Sequence, residues 1–106
     1  MEDLPINFRL RFIPQAKGEG TRVIRSPQLP GLFVAAESNE SAKRELALSL
    51  WTYAELIGQF GLEGNVFLPA QFNMHEIQTG LRTIADQVTR LPVSTTIEQF
   101  VQTAAA

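Results

Sequence analysis

The sequence predicts an α+β fold, and three patterns in it lead to that class. In a strand expected over residues 6–13, apolar and polar residues alternate from Ile6 to Phe12, the two-residue period of a half-buried strand. From Ala42 to Phe60 the apolar residues recur at steps of three and four, the period of an amphipathic helix. A second such series runs from Met74 to Leu91. In the expected architecture a three-stranded antiparallel sheet and a short fourth strand pack on one long helix, in the order βββαβ, and a C-terminal helical hairpin follows.

In the first strand Ile6, Phe8, Leu10 and Phe12 share one side, and Asn7, Arg9 and Arg11 the other. Pro14 and then Lys17-Gly18-Glu19-Gly20 are expected to end it, since proline lacks a ladder donor and glycine favours turns. Residues 21–25 form the next β-prone run, close enough to pair antiparallel as a hairpin. In Leu29-Pro30-Gly31-Leu32 the proline presets a negative φ and the glycine accepts a positive one, as a type II turn requires. A third strand is expected over residues 32–36.

Ser38 is placed to cap the long helix, in which Ala42, Leu46, Leu50, Tyr53, Ile57 and Phe60 form one stripe. Ala47, Leu48, Trp51 and Ala54 widen that stripe, predicting broad packing across the sheet. Gly58, Gly61 and Gly64 are expected to end the helix, and residues 65–68 give a short strand stopped by Pro69. Residues 1–69 thus read as the core and 70–106 as a helical extension. In that extension Asn73 and Glu76 have capping-box spacing, and Met74, Ile77, Leu81, Ile84, Val88 and Leu91 make a narrow stripe. Such a seam suits one partner helix, either the terminal helix or the same helix of a second chain in a homodimer. Thr95 and Glu98 repeat the capping spacing ahead of Ile97, Phe100, Val101 and Ala104 on one face of that last helix.

The chain has 106 residues, 44% of them hydrophobic and 19% charged, the balance of a folded domain rather than a disordered one. It contains no cysteine, which excludes disulfides, thiolate metal sites and a cysteine nucleophile and fits a reducing compartment. The acidic start, Met1-Glu2-Asp3, is unlike a secretory or mitochondrial leader, and no apolar run reaches the ~18 residues of a membrane span. A cytoplasmic protein without a membrane partner is the expectation.

Catalytic constellations are missing from the pattern. The lone histidine, His75, has no companions at zinc-ligand or triad spacing. The serines sit in caps and turns, the carboxylates are scattered singly, and the glycines form neither a dinucleotide fingerprint nor a phosphate loop. Neither enzymatic activity nor a cofactor is expected.

Net charge is −2, yet residues 1–25 hold Arg9, Arg11, Lys17, Arg22 and Arg25 against Glu2, Asp3 and Glu19. Arg9, Arg11, Arg22 and Arg25 are therefore candidates for contact with an acidic partner. Nucleic acid is the less favoured partner, because no aromatic lies between those arginines to stack a base. Residues 91–106 carry no lysine or arginine, which disfavours a DNA-reading helix there. Trp51 and Tyr53 are candidate anchors for a protein partner, and equally candidates for the core.

The run Ser26-Pro27-Gln28-Leu29-Pro30-Gly31-Leu32-Phe33-Val34, followed by Glu37-Ser38-Asn39-Glu40-Ser41-Ala42 and a long amphipathic helix, resembles the signature of HicB-like antitoxins over residues 6–69. In that family a strand ends in a similar proline-glycine turn, another strand follows, and a serine or threonine cap opens a helix. Gln28 stands where the family carries an acidic residue. The resemblance implies a βββαβ core akin to a reduced, inactive ribonuclease-H-like sheet. It also implies a function, the direct binding and neutralisation of a small HicA-type ribonuclease toxin. A free-standing phage or mobile-element inhibitor or adaptor on the same scaffold is the alternative.

Overall fold

The computed structural model describes residues 10–16, 21–29, 31–60 and 73–104. Three strands, β1 (Ile13–Ala16), β2 (Arg22–Arg25) and β3 (Phe33–Ala36), form an antiparallel sheet in the order β1-β2-β3. Ile13 pairs with Arg25 and Gln15 with Val23, while Arg22 pairs with Ala36 and Arg25 with Phe33. Three helices follow, α1 (Asn39–Phe60), α2 (Met74–Thr89) and α3 (Ile97–Ala104). The molecule is of the α+β class. The expected fourth strand, residues 65–68, and the first half of the expected first strand, residues 6–9, lie outside the described residues.

Pro14 does not end the first strand. It lies inside β1, opposite Ile24, and among the described residues β1 is at the edge of the sheet, where proline's missing donor need not break the ladder. Residues 10–12 precede the strand rather than forming it, but Leu10 and Phe12 are buried and Arg11 is exposed. The alternation thus predicted the burial better than the strand limits. The turn into β3 follows the sequence: Gly31 has φ of 89°, and the Leu32 amide donates to the Leu29 carbonyl at 3.0 Å.

The N-terminus of α1 is closed by a pair of serines. Ser38 Oγ accepts from the Ser41 amide at 3.1 Å, and Ser41 Oγ accepts in return from the Ser38 amide at 3.2 Å, which satisfies donors that a helix start leaves free. Ala42, Leu46, Ala47, Leu50, Ala54 and Ile57 are buried. The face is narrower than expected, because Leu48 and Trp51 remain exposed. Gly58 does not end α1, which continues to Phe60. Its missing side chain instead admits a neighbour: Gln78 Nε2 donates to the Ala54 carbonyl at 2.8 Å, in the space a Cβ on Gly58 would enter.

The capping box at Asn73 and Glu76 is complete, with Asn73 Oδ1 accepting from the Glu76 amide at 2.8 Å and Glu76 Oε1 from the Asn73 amide at 3.1 Å. The stripe Ile77, Leu81, Ile84 and Val88 is buried in one core together with Leu46, Leu50 and Ile57 of α1. Met74 is exposed, and Leu91 packs on the core from its margin. The main packing partner of α2 is therefore α1, not α3, and α2 and α3 do not form the expected hairpin. The contacts Gln78 to Ala54, Arg82 to Trp51 and Lys43 to Pro92 run in opposite sequence order along the two helices, so α1 and α2 are antiparallel.

The cap of α3 lies one residue beyond the expected Thr95 and Glu98. Thr96 Oγ1 accepts from the Gln99 amide at 3.1 Å, and Gln99 Oε1 from the Thr96 amide at 2.8 Å. Thr96 and Gln99 have the same spacing as the rejected pair, and tertiary contacts decide between them. Asn39, in the first turn of α1, accepts from the Ile97 amide at 2.6 Å and donates to the Thr95 carbonyl at 3.2 Å. Glu98 is thereby turned towards Arg22, at 2.7 Å.

Candidate protein-binding surface

The arginines expected to form one basic face are divided. Arg22 and Arg25 are three residues apart on β2, so the pleat sends them to opposite sides. Arg22 shares the side of the fully buried Ile24 and reaches the carboxylate of Glu98 on α3. Burial would raise the Glu98 carboxyl. The Arg22 hydrogen bond, a backbone hydrogen bond and the Arg22 charge outweigh it, and Glu98 lies below its ordinary value of 4.5. Arg25 faces outward, its guanidinium 5.3 Å from the centroid of Phe33, in cation–π range. Arg11 is exposed, and its backbone amide donates to Gln28 Oε1 at 2.9 Å. Arg9 lies outside the described residues.

Gln28, the position at which the turn differs from the family pattern, therefore has a structural part to play. Its Oε1 accepts from both the Arg11 amide and Ser26 Oγ, tying the segment before β1 to the turn before β3.

The register places Ile13, Arg25 and Phe33 in one row across the sheet. All three are exposed, so this row is an apolar and aromatic strip with one cation in it rather than a basic patch.

A larger surface lies over the junction of α1 and α2. Trp51, for which the sequence left anchor and core both open, is 43% exposed, and Leu48, expected to pack on the sheet, is 59% exposed. Tyr53 is half-buried against the core, and that burial raises its phenol above the usual value. The Arg82 guanidinium of α2 lies 5.4 Å from the Trp51 ring centroid. Trp51 borders two concavities. One, of about 740 Å³, is lined by Lys43, Arg44, Ala47, Leu48, Val88, Leu91 and Val93 among others. The second, of about 600 Å³, lies along α2 between His75 and Arg90. Lys43 is buried and donates to the Pro92 carbonyl at 2.9 Å, fixing the turn that carries the 86% exposed Val93. On the other flank Leu48 and Leu56 meet Phe33 around a smaller hollow of about 260 Å³.

Chemically this surface offers apolar and aromatic contact with cations at its rim. Among the described residues no group of three or more His, Cys, Asp or Glu side chains could hold a metal ion, and no helix is long and apolar enough to cross a membrane. His75 is exposed in the first turn of α2.

Arg82, Arg44 and Lys43 escaped the sequence reading. No local spacing announces that Arg82 will meet Trp51, since the pair depends on the antiparallel register of two helices. The signal that was available was the excess width of the α1 apolar stripe. A helix with more apolar face than one sheet and one helix can cover leaves some of it exposed.

In comparisons with known proteins, no family model, curated protein or solved structure matches this chain. The chemistry of the surface itself therefore carries the functional argument.

Proposed function

We propose that this chain is a non-catalytic protein-binding module, a HicB-like antitoxin that neutralises a small ribonuclease toxin by direct binding. The observation that supports it is the continuous band of exposed Leu48, Trp51 and Leu56 on α1, flanked by Phe33 and Val93. Large aromatics in apolar surroundings dominate interface energies, and exposed apolar patches rimmed by polar groups mark binding sites. The turn and cap through which residues 26–42 resemble the family are formed, with positive φ at Gly31 and reciprocal bonds between Ser38 and Ser41.

The test is co-expression with the product of the adjacent gene. The chain is expected to co-purify with that product and to relieve its toxicity. The variants Leu48→Asp and Leu56→Asp, both at exposed positions, are expected to fold normally and lose both effects. Recovery of no toxin, with growth unprotected, refutes the antitoxin reading.

A further inference from the structure

We infer that the groove along α1 and α2 receives an acidic, amphipathic segment of the partner protein, with its apolar side chains against Leu48, Trp51 and Val93 and a carboxylate on Arg82. The inference rests on the protein-binding reading above and specifies the chemistry of the partner.

Charge is the first support. The chain carries a net −2, yet the two concavities that share Trp51 are lined by Lys43, Arg44, Arg82 and Arg90 against only Glu40 and Asp86. Lys43 is committed to the Pro92 carbonyl, and Arg90 pairs with Asp86 at 3.2 Å. Among the described residues, Arg44 and Arg82 have no ion-pair partner. A cationic rim around an apolar floor, on a protein of opposite net charge, is complementary to carboxylates and repels a basic segment.

The state of Arg82 is the second. Its Nε is buried and has no hydrogen-bond partner, and an unsatisfied buried donor is costly. The cation–π contact with Trp51 holds the guanidinium in place but supplies no acceptor. A carboxylate meeting the guanidinium side-on would use Nε and one Nη together, the bidentate arrangement for which Arg is suited. The orphan donor thus defines a position for an anionic oxygen beside the Trp51 ring.

The occupant is a segment rather than a small anion because of the shape. The concavities of about 740 Å³ and about 600 Å³ meet at Trp51 and are open to solvent. Both are lined by Trp51, the larger with the apolar Ala47, Leu48, Leu91 and Val93 and the other with Arg82, so an occupant that reaches both is longer than a small anion. An amphipathic helix or extended strand laid in such a groove uses several anchors at once.

Trp51 is the only tryptophan, so its emission reports on this groove alone. Two fluorescein-labelled amphipathic peptides with the same leucine face, one flanked by glutamates and the other by lysines, are titrated into the full chain. The glutamate peptide is expected to shift Trp51 emission and to bind at least about ten-fold more tightly than the lysine peptide. Arg82→Glu is expected to abolish or invert that preference with the circular dichroism spectrum unchanged, while Gln15→Glu, at an exposed position of β1, leaves it intact. Equal affinities, binding indifferent to Arg82→Glu, or no shift of Trp51 with either peptide would overturn the assignment. The natural complex separates the two levels of the argument. If the toxin co-purifies equally with the wild-type chain and with Arg82→Glu, the groove assignment fails and the antitoxin reading stands. If the glutamate peptide binds as described but no toxin is recovered, the antitoxin reading fails and the groove remains.

Discussion

Replacing Gly58 with alanine tests how α1 and α2 are fitted together. In an unobstructed helix interior the change would stabilise by about 0.8–1.0 kcal/mol, the difference in helix propensity. Here an ideal Cβ on residue 58 would lie 2.6 Å from Gln78 Nε2, inside any permitted contact. The amide must therefore leave, and with it the 2.8 Å bond to the Ala54 carbonyl. Such a bond contributes about 0.5–1.5 kcal/mol net. The two effects nearly cancel, so Gly58→Ala should change stability by less than about 0.5 kcal/mol. In a Gln78→Ala background there is no amide to expel, and the same substitution should recover its full stabilisation of about 1 kcal/mol. A double-mutant cycle by urea denaturation, followed by far-UV circular dichroism, measures the difference as a coupling of about 1 kcal/mol. If Gly58→Ala stabilises equally in both backgrounds, Gln78 does not occupy the space above Gly58 and the argument is wrong.

Leu81 is fully buried beneath α1, so Leu81→Ala should destabilise by about 2–5 kcal/mol. Its denaturation midpoint should not vary with protein concentration, because the covering helix belongs to the same chain; a concentration-dependent midpoint would place a second copy there. Asn39→Ala removes the acceptor of the Ile97 amide and should cost about 1–3 kcal/mol, with hydrogen exchange fastest in the first turn of α3. For Glu98 the carboxyl is more acidic when folded, so its contribution is complete above the ordinary value. It is lost as pH falls through the lower folded value. Because the pair with Arg22 is partly exposed, that contribution is only about 0.2–1 kcal/mol. Stability curves of the wild type and Glu98→Gln should therefore differ at neutrality and converge as pH falls below the ordinary 4.5 and through the lower folded value; parallel curves would show that Arg22 does not hold Glu98 in solution.

Features that depend on neighbours in sequence were the legible ones. The Asn73–Glu76 box, the Gly31 turn and the buried series Ile77, Leu81, Ile84 and Val88 all follow from spacing. Features that depend on which elements meet were misread. Pro14 reads as a stop in the sequence, where nothing marks that its strand stands at the sheet edge among the described residues, and Thr95 and Thr96 offer two equally spaced caps that only Asn39 separates. The candidate site divides in the same way. The excess apolar width of α1 was visible, and Trp51 with it. The Arg82 guanidinium arrives from a helix some thirty residues further along the chain, where no local pattern marks it.

The bond from Asn39 to Ile97 and the pair Arg22–Glu98 span 58 and 76 residues. Contacts this remote in sequence cannot form until nearly the whole stretch between them has been synthesised. On the ribosome, β2 and the start of α1 emerge long before α3, and a nascent chain halted before residue 97 lacks Ile97 and Phe100, both part of the finished core. Closure of the core is thereby tied to completion of translation through α3, and truncated products would be left open to proteases that the completed fold resists.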